Sequence, residues 1–329
     1  MGLVTFWDKK GAGKMKLVSF WRDGELRFGF LLEDGQILEP GLASSSLAPG
    51  DERVFRDATS FIRAGELAFE LASRLIKQRP THALHPFDPS QLAAPMLPST
   101  ILCAGSNYRE HNDEKAGSPM SGKEPEFFIK TSDSVIGPGE GIRYDAVLTR
   151  KLDCETELAI VMGKPGRHIA KERALEHVFG YTIVNDVTAR DRQVRRSGSF
   201  TWYDLGRGKA FDTSAPIGPW IVTADEIDDP QLLDIQTRIN GELRQSSNTR
   251  DMIWTCADLI HFFSINFTLK PGMVIITGTP AGTAWSVDRE LGGQWRPKHD
   301  LIAASRYCLP GDEIECEIQS IGVLRNSVI

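Results

Sequence analysis

Residues 152–164 read LDCETELAIVMGK, with two glutamates, Glu155 and Glu157, one residue apart in an apolar run. Alternation along an extended chain puts both on one face, about 6–7 Å apart at ~3.3 Å rise per residue. Leu158 to Met162 are apolar on both faces, the pattern of a strand covered on both sides. Unpaired buried carboxylates are unfavourable, so either one holds a proton or both share a cation. A cation needs further oxygen ligands, and Asp186, ending the apolar run GYTIVND, is the candidate third. Three carboxylates without a Cys or His cluster select a hard divalent ion, Mg²⁺, Mn²⁺ or Ca²⁺, over zinc. The competing readings are that Asp186 caps a helix starting near Val187 and that the glutamate pair lies on a solvated face.

A second constellation lies in CAGSNYREHNDEKAG, residues 103–117. A short helix begun near Asn107 and ended by Gly117 sets His111 and Glu114 at i, i+3 on one face. A carboxylate orienting a histidine makes a general base near neutral pH, whereas the plainer reading is an acidic, solvated helix face. Lys209 in GRGKAFD and Lys130 in FFIKTSD stand beside aromatic residues, where lysines ordinarily lie along the surface. ITGTPAG, residues 276–282, ends an apolar strand in a turn whose N–H groups, next to Thr279, can receive a carboxylate.

These residues must be positioned by a chain of 329 residues, enough for a small domain and a larger one. The balance of 38 basic and 44 acidic residues leaves a net charge of -6 without long single-sign blocks, which argues against nucleic acid or an anionic membrane as partner. No apolar run approaches the ~18–20 residues of a membrane span, and the first residues lack a secretory core, so a cytoplasmic location is expected. Five scattered cysteines with no C-x-x-C spacing read as reduced thiols.

The boundary between units is placed in the proline-rich stretch 80–98, giving a small unit 1–98 and a larger one 99–329. The first contains strands LVSFW, LRFGFLLEDG and QILEP and an amphipathic helix capped by Asp57 or Thr59, carrying Phe61, Leu67, Leu71 and Leu75. Met15 is an alternative start, which makes residues 1–14 an extension. Beyond residue 99, strand-like runs dominate over helical segments at 250–264 and 187–196, so the class is α+β, dominated by strands. No nucleotide-binding glycine fingerprint is present.

The succession NYREH, FFIK, DCETEL, NDVTARDRQ, GKAFDTSAPIGP, INGELRQ, LKPGMVIITGTPAG and LPGDEIECEIQSIGVLRN resembles the fumarylacetoacetate hydrolase superfamily through nearly all of 99–329. The resemblance implies a mixed β-roll or barrel catalytic domain preceded by a small α/β N-terminal domain, commonly as a homodimer. It implies Mg²⁺ or Mn²⁺ on Glu155, Glu157 and Asp186, a His111–Glu114 dyad as base, and Lys209 near the metal-bound oxygens. It places Lys130, Arg190, Gln193 and Thr279 against substrate. The founding hydrolase has another metal-binding aspartate where this chain has Cys103-Ala104-Gly105, so the chain resembles the shorter acylpyruvate hydrolase and oxaloacetate decarboxylase-like members. Met273 stands where the family's turn usually has aspartate, a change expected to be structural. The segment 285–305, with Trp285 and Trp295, follows the Thr279 turn and is expected to cover the distal end of the substrate.

The expected substrate is a 2-oxo acid of the β-diketo type, cleaved at a C–C bond to pyruvate and a carboxylic acid. Decarboxylation, isomerisation and hydration use the same metal–enolate chemistry and are the alternatives. Two rivals are a glycosidase using Glu155 and Glu157, which one strand cannot easily set on opposite sides of a sugar, and a metal-stabilised binding protein without turnover.

Overall fold

The computed structural model describes residues 15–115, 124–197, 200–295 and 300–329. The extension 1–14 and the helix end at Gly117 lie outside the described residues. A 12-stranded sheet runs through the molecule, its centre formed by Thr156–Met162 and Val178–Asn185. Every residue of those two strands is buried: residues 158–162 and most of 178–184 are apolar on both faces, and the polar Thr156, Glu157 and Asn185 gather at one end. They pair antiparallel with Thr156 opposite Asn185 and Glu157 opposite Val184, so one sheet end carries all three candidate metal carboxylates. Val274–Ile276 pairs with the other side of Thr156–Met162, followed outward by Ile101–Gly105 and Glu126–Lys130.

A second sheet of four strands, ordered Glu242–Asn248, Asp234–Ile239, Glu313–Ile318 and Gly322–Ser327, packs across this centre. Buried Thr156 and Thr237 join the two sheets through their hydroxyls, 2.5 Å apart. The expected strand-dominated α+β class is what the chain adopts. The five cysteines are free and buried. Among the described residues no helix is long and apolar enough to cross a membrane.

The first hundred residues do not make a sheet of their own. Lys16–Arg22 pairs with Ala215–Thr223 through Lys16 opposite Val222 and Leu17 opposite Ile221, extending the main sheet. The expected single helix is two: Asp57 caps Ala58–Ala64, its carboxylate accepting from the Ser60 N–H at 2.6 Å, and Gly65 separates this from Glu66–Gln78. The break turns Leu67 outward, 48% exposed, while Phe61 and Phe69 pack on Phe179 of the central strand. The proline-rich stretch contributes short strands, Leu84–Pro86 and Leu92–Ala93, and single-turn 3-10 helices, Thr81–Ala83 and Pro89–Gln91.

Two other helices are shorter than expected. Thr255 and Asp258 form a reciprocal cap that starts Cys256–Asn266, so the turn at 249–251 stays outside it. In the 187–196 segment only Arg190–Gln193 is α-helical; Thr188–Ala189 and Val194–Ser197 are strands. Ala189 is its cap residue, so Asp186 is released from the capping role. The Met273 thioether accepts the Lys270 backbone N–H at 3.2 Å, completing the turn.

Candidate metal and acid–base site

The three carboxylates converge. Glu155, Glu157 and Asp186 each offer one oxygen, all within 4.8 Å of one another, and all three residues are buried. Glu155 precedes the strand, held because its N–H donates to Asn185 Oδ1 at 3.0 Å and its carbonyl accepts from the Asp186 N–H at 2.8 Å. Glu157 Oε2 accepts the Gly278 N–H at 2.6 Å. Gly278 has φ +89°, and a Cβ there would lie 2.7 Å from Asn107 Cβ, so only glycine brings that N–H to the carboxylate.

Cations surround the cluster unevenly. The Lys209 ammonium donates to Glu155 Oε2 and Asp186 Oδ2, both at 2.6 Å. Arg190 donates to Glu155 and, through Nε, to Asp153 Oδ2 at 2.8 Å. Lys130 Nζ lies 2.9 Å from Asp186 Oδ1 and donates to the Ser214 carbonyl at 2.8 Å and its hydroxyl at 3.0 Å. Burial opposes ionisation of Glu155, but Arg190 and Lys209 outweigh it and hold its carboxyl well below the usual range. Burial, then Asp186 and Glu155, push the Glu157 carboxyl well above it, since no cationic side chain contacts Glu157 among the described residues.

A set of three buried oxygen donors, one of them pushed towards its protonated form by burial and by its anionic neighbours, fits a hard dication. Glu155, Glu157 and Asp186 are the residues that would hold it. Their convergence on one side also fits a shared ion better than the flanking pair of a glycosidase.

The dyad faces this cluster. Arg109–Asp113 is the short helix, starting two residues later than the expected Asn107 because Asn107 is used elsewhere. Its amide donates to the carbonyls of Thr277 at 2.7 Å and Trp254 at 3.0 Å, and its oxygen accepts the Trp254 N–H at 2.7 Å. The dyad helix is thereby tied to the turn that serves Glu157. His111 Nδ1 lies 3.3 Å from Glu114 Oε2, and His111 Nε2 lies 4.0 Å from Glu155 Oε1. Both side chains are buried, contrary to a solvated face.

Burial, then Lys115, depress the His111 pKa well below the usual histidine range, so the imidazole is neutral. Burial pushes the Glu114 carboxyl up to about 8, against the Gly282 N–H that donates to its Oε1 at 2.7 Å. Gly282, at φ +111°, approaches so closely that a Cβ would lie 1.9 Å from the Arg244 carbonyl oxygen.

Gln193, Lys209 and Thr279 line the cavity in front of the carboxylates, with His111 and Lys115. Thr279 donates to the Thr156 carbonyl at 3.0 Å and accepts from Gln245 Nε2 at 2.9 Å. Lys130 and Arg190 are fully buried, Lys130 behind Asp186 and Arg190 between Asp153, Glu155 and Gln193, to whose Oε1 it donates at 2.9 Å. Their positions orient the candidate metal ligands and Gln193. Asp153 was not singled out in the sequence, yet it also accepts the N–H groups of Ala284 at 3.0 Å and Trp285 at 3.1 Å. Its signal was present: Asp153, Glu155 and Glu157 alternate. The 285–305 segment contacts the dyad directly, Gln294 N–H donating to the Glu114 carbonyl at 2.6 Å; residues 296–299 of it lie outside the described ones.

Comparison with known proteins agrees with this arrangement. The family described as "Fumarylacetoacetate (FAA) hydrolase C-terminal" matches residues 100–329. The mitochondrial oxaloacetate tautomerase FAHD2A of Homo sapiens is 38% identical over 284 residues, 85% of this chain and 82% of that protein. The oxaloacetate tautomerase YisK of Bacillus subtilis is 39% identical over 234 residues, 71% of each chain. Among solved structures, maleylpyruvate hydrolase from Sphingobium sp. SYK-6 in complex with manganese(II) and pyruvate superposes with a TM-score of 0.71 at 28% identity, covering 96% of this chain and 99% of that one.

Proposed function

Because the chain belongs to the fumarylacetoacetate hydrolase family, we propose that it is a divalent-metal-dependent enzyme of 2-oxo acids bearing a β-carbonyl group, with keto–enol tautomerisation of an oxaloacetate-type substrate as its reaction. The observation that carries this reading is a buried His111, 3.3 Å from Glu114 Oε2, facing three converging carboxylates across one cavity. A Mg²⁺ or Mn²⁺ ion on Glu155, Glu157 and Asp186 supplies Lewis-acid polarisation of the 2-oxo group. With Glu114 ionised and accepting Nδ1–H, a state that fills as pH rises towards about 8, His111 Nε2 is free to take a proton from C3 of the substrate and return it to oxygen. Lys209 lines the cavity with its charge held in place by Glu155 and Asp186, and it stabilises the negative charge that develops on the substrate. Arg190 and Lys130 keep the two carboxylates that Lys209 shares in fixed orientations.

C–C hydrolysis of an acylpyruvate, giving pyruvate and a carboxylic acid, is the second reading. The same dyad favours it, since His111 Nε2 can take the proton of a water attacking the distal carbonyl, and a structural neighbour is a maleylpyruvate hydrolase with manganese(II) and pyruvate. One assay separates the two. Loss of the oxaloacetate enol is followed by ultraviolet absorbance, and pyruvate release is measured from oxaloacetate, acylpyruvates and fumarylpyruvate, each with and without Mg²⁺. Metal-dependent enol loss without pyruvate supports tautomerisation; pyruvate with an equivalent of carboxylic acid supports hydrolysis. Neither occurring defeats both.

We further propose that residues 1–98 act as a small accessory unit on the catalytic portion 99–329, and that the protein is a cytoplasmic homodimer. Supporting the dimer, Phe127 and Ile129 stand exposed on the strand Glu126–Lys130 at the sheet edge. Light scattering that gives the mass of one chain removes the dimer, and fractionation of the source cells tests the location.

A further inference from the structure

Lys115 is buried in the wall of the cavity that holds Glu155, Glu157, Asp186 and Lys209, and the chemistry above gives it no task. Its ammonium lies 4.7 Å from the centroid of the Trp285 ring, and the Arg190 guanidinium lies 5.1 Å from the same centroid. The ring is pinned: the Trp285 backbone N–H donates to Asp153 Oδ2 at 3.1 Å, and its indole N–H donates to the Leu291 carbonyl at 3.0 Å. The Lys115 backbone is bridged to Gly293 of the same segment.

The two cations on this ring differ in one respect. Arg190 is paired with Asp153 and Glu155, whereas no carboxylate oxygen lies within 4.0 Å of the Lys115 ammonium among the described residues. An aromatic face offsets only about 2 kcal/mol of what a buried cation loses in leaving water, and burial, then Arg190, push the Lys115 ammonium down to about 7, so an anion bound beside it would hold it charged.

We propose that Lys115, seated on Trp285, is a specificity-determining residue that binds the distal carboxylate of a 2-oxo dicarboxylate whose 2-oxo acid end lies at the carboxylate triad. The inference rests on the 2-oxo acid reading above and names the side chain that recognises the second carboxylate of its substrate. Lys115 and the triad face the same cavity, so one short ligand can meet both. Trp285 supplies the platform, which gives the segment 285–305 its part in selecting substrate.

The test uses two unreactive ligands that bear the same chelating 2-hydroxy acid end and equally branched tails, malate and 2-hydroxy-4-methylpentanoate. Their dissociation constants are measured by calorimetry on the full chain loaded with Mn²⁺, with pyruvate as a control. The wild-type protein binds malate about tenfold or more tighter than its uncharged-tail counterpart, the scale of one charge-assisted hydrogen bond. In Lys115→Met that ratio falls to about one, and Lys115→Arg keeps most of the preference. A wild type without preference overturns the inference. So does a Lys115→Met protein that weakens both ligands equally, the result of a purely structural contact between Lys115 and Trp285. If pyruvate does not bind the Mn²⁺-loaded wild type, the 2-oxo acid reading fails, and this inference with it; if pyruvate binds and the ratio does not respond to Lys115, only the inference fails.

Discussion

Glu157→Gln separates the effect of charge in the cluster from the effect of shape. Glutamine keeps an oxygen for the Gly278 N–H, which Glu157 Oε2 receives at 2.6 Å, and removes only the capacity to ionise. In the metal-free protein the Glu157 carboxyl is raised by burial and by Asp186 and Glu155. A carboxyl raised on folding stabilises the native state below its unfolded value near 4.5, and that contribution is lost as pH rises towards the folded value. With the folded state holding one proton more than the unfolded state in that window, wild type should lose about 1.4 kcal/mol per pH unit relative to Glu157→Gln. Urea unfolding of both proteins in chelator, at pH steps upward from 5, reads this difference directly. Saturating Mn²⁺ should reverse the order, because wild type then binds the ion with three anionic ligands and the variant with two. A stability difference that does not change with pH in chelator, or an order that Mn²⁺ does not reverse, refutes the reasoning.

His111→Ala should lower turnover about 10²–10⁴-fold while Mn²⁺ affinity measured by calorimetry is retained, since the imidazole serves proton transfer. Asp153→Ala leaves the fully buried Arg190 with one of its two carboxylates and strips the acceptor from the Ala284 and Trp285 N–H groups, so chemical denaturation should show a loss of about 3–5 kcal/mol. Replacing 286–304 by a glycine linker should change the ranking of 2-oxo acid substrates by kcat/KM, with Mn²⁺ affinity intact; an unaltered ranking in a folded protein of the same oligomeric state denies the segment a part in specificity.

The triad was legible because its signal is local: alternating acids in a run otherwise apolar on both faces, and a third acid ending the strand that pairs with it. The dyad was legible as a spacing, but its burial was not, because the cover comes from Gly282 and Gln294, far along the chain. Asp153 escaped notice although it continues the alternation, since its partner Arg190 lies beyond the next strand. Lys115 reads as one more charge on an acidic helix until Trp285 is brought beside it. In the N-terminal region, the pattern of strands was readable, while their union with the main sheet rests on two residue pairs about two hundred positions apart, for which no local sequence pattern exists. Gly65 divides the two helices, and buried apolar residues on both sides of it, Phe61 and Ile62 before and Phe69 after, make the segment read as one.

Proton NMR of pyruvate in deuterated buffer measures enolisation itself, without requiring the physiological substrate. Protein loaded with Mg²⁺ should exchange the methyl protons for deuterium well above the buffer rate, and the exchange should disappear with chelator, in Glu157→Gln and in His111→Ala. Exchange no faster than buffer, or exchange that persists after the metal is removed, contradicts a metal-assisted acid–base site at Glu155, Glu157, Asp186 and His111.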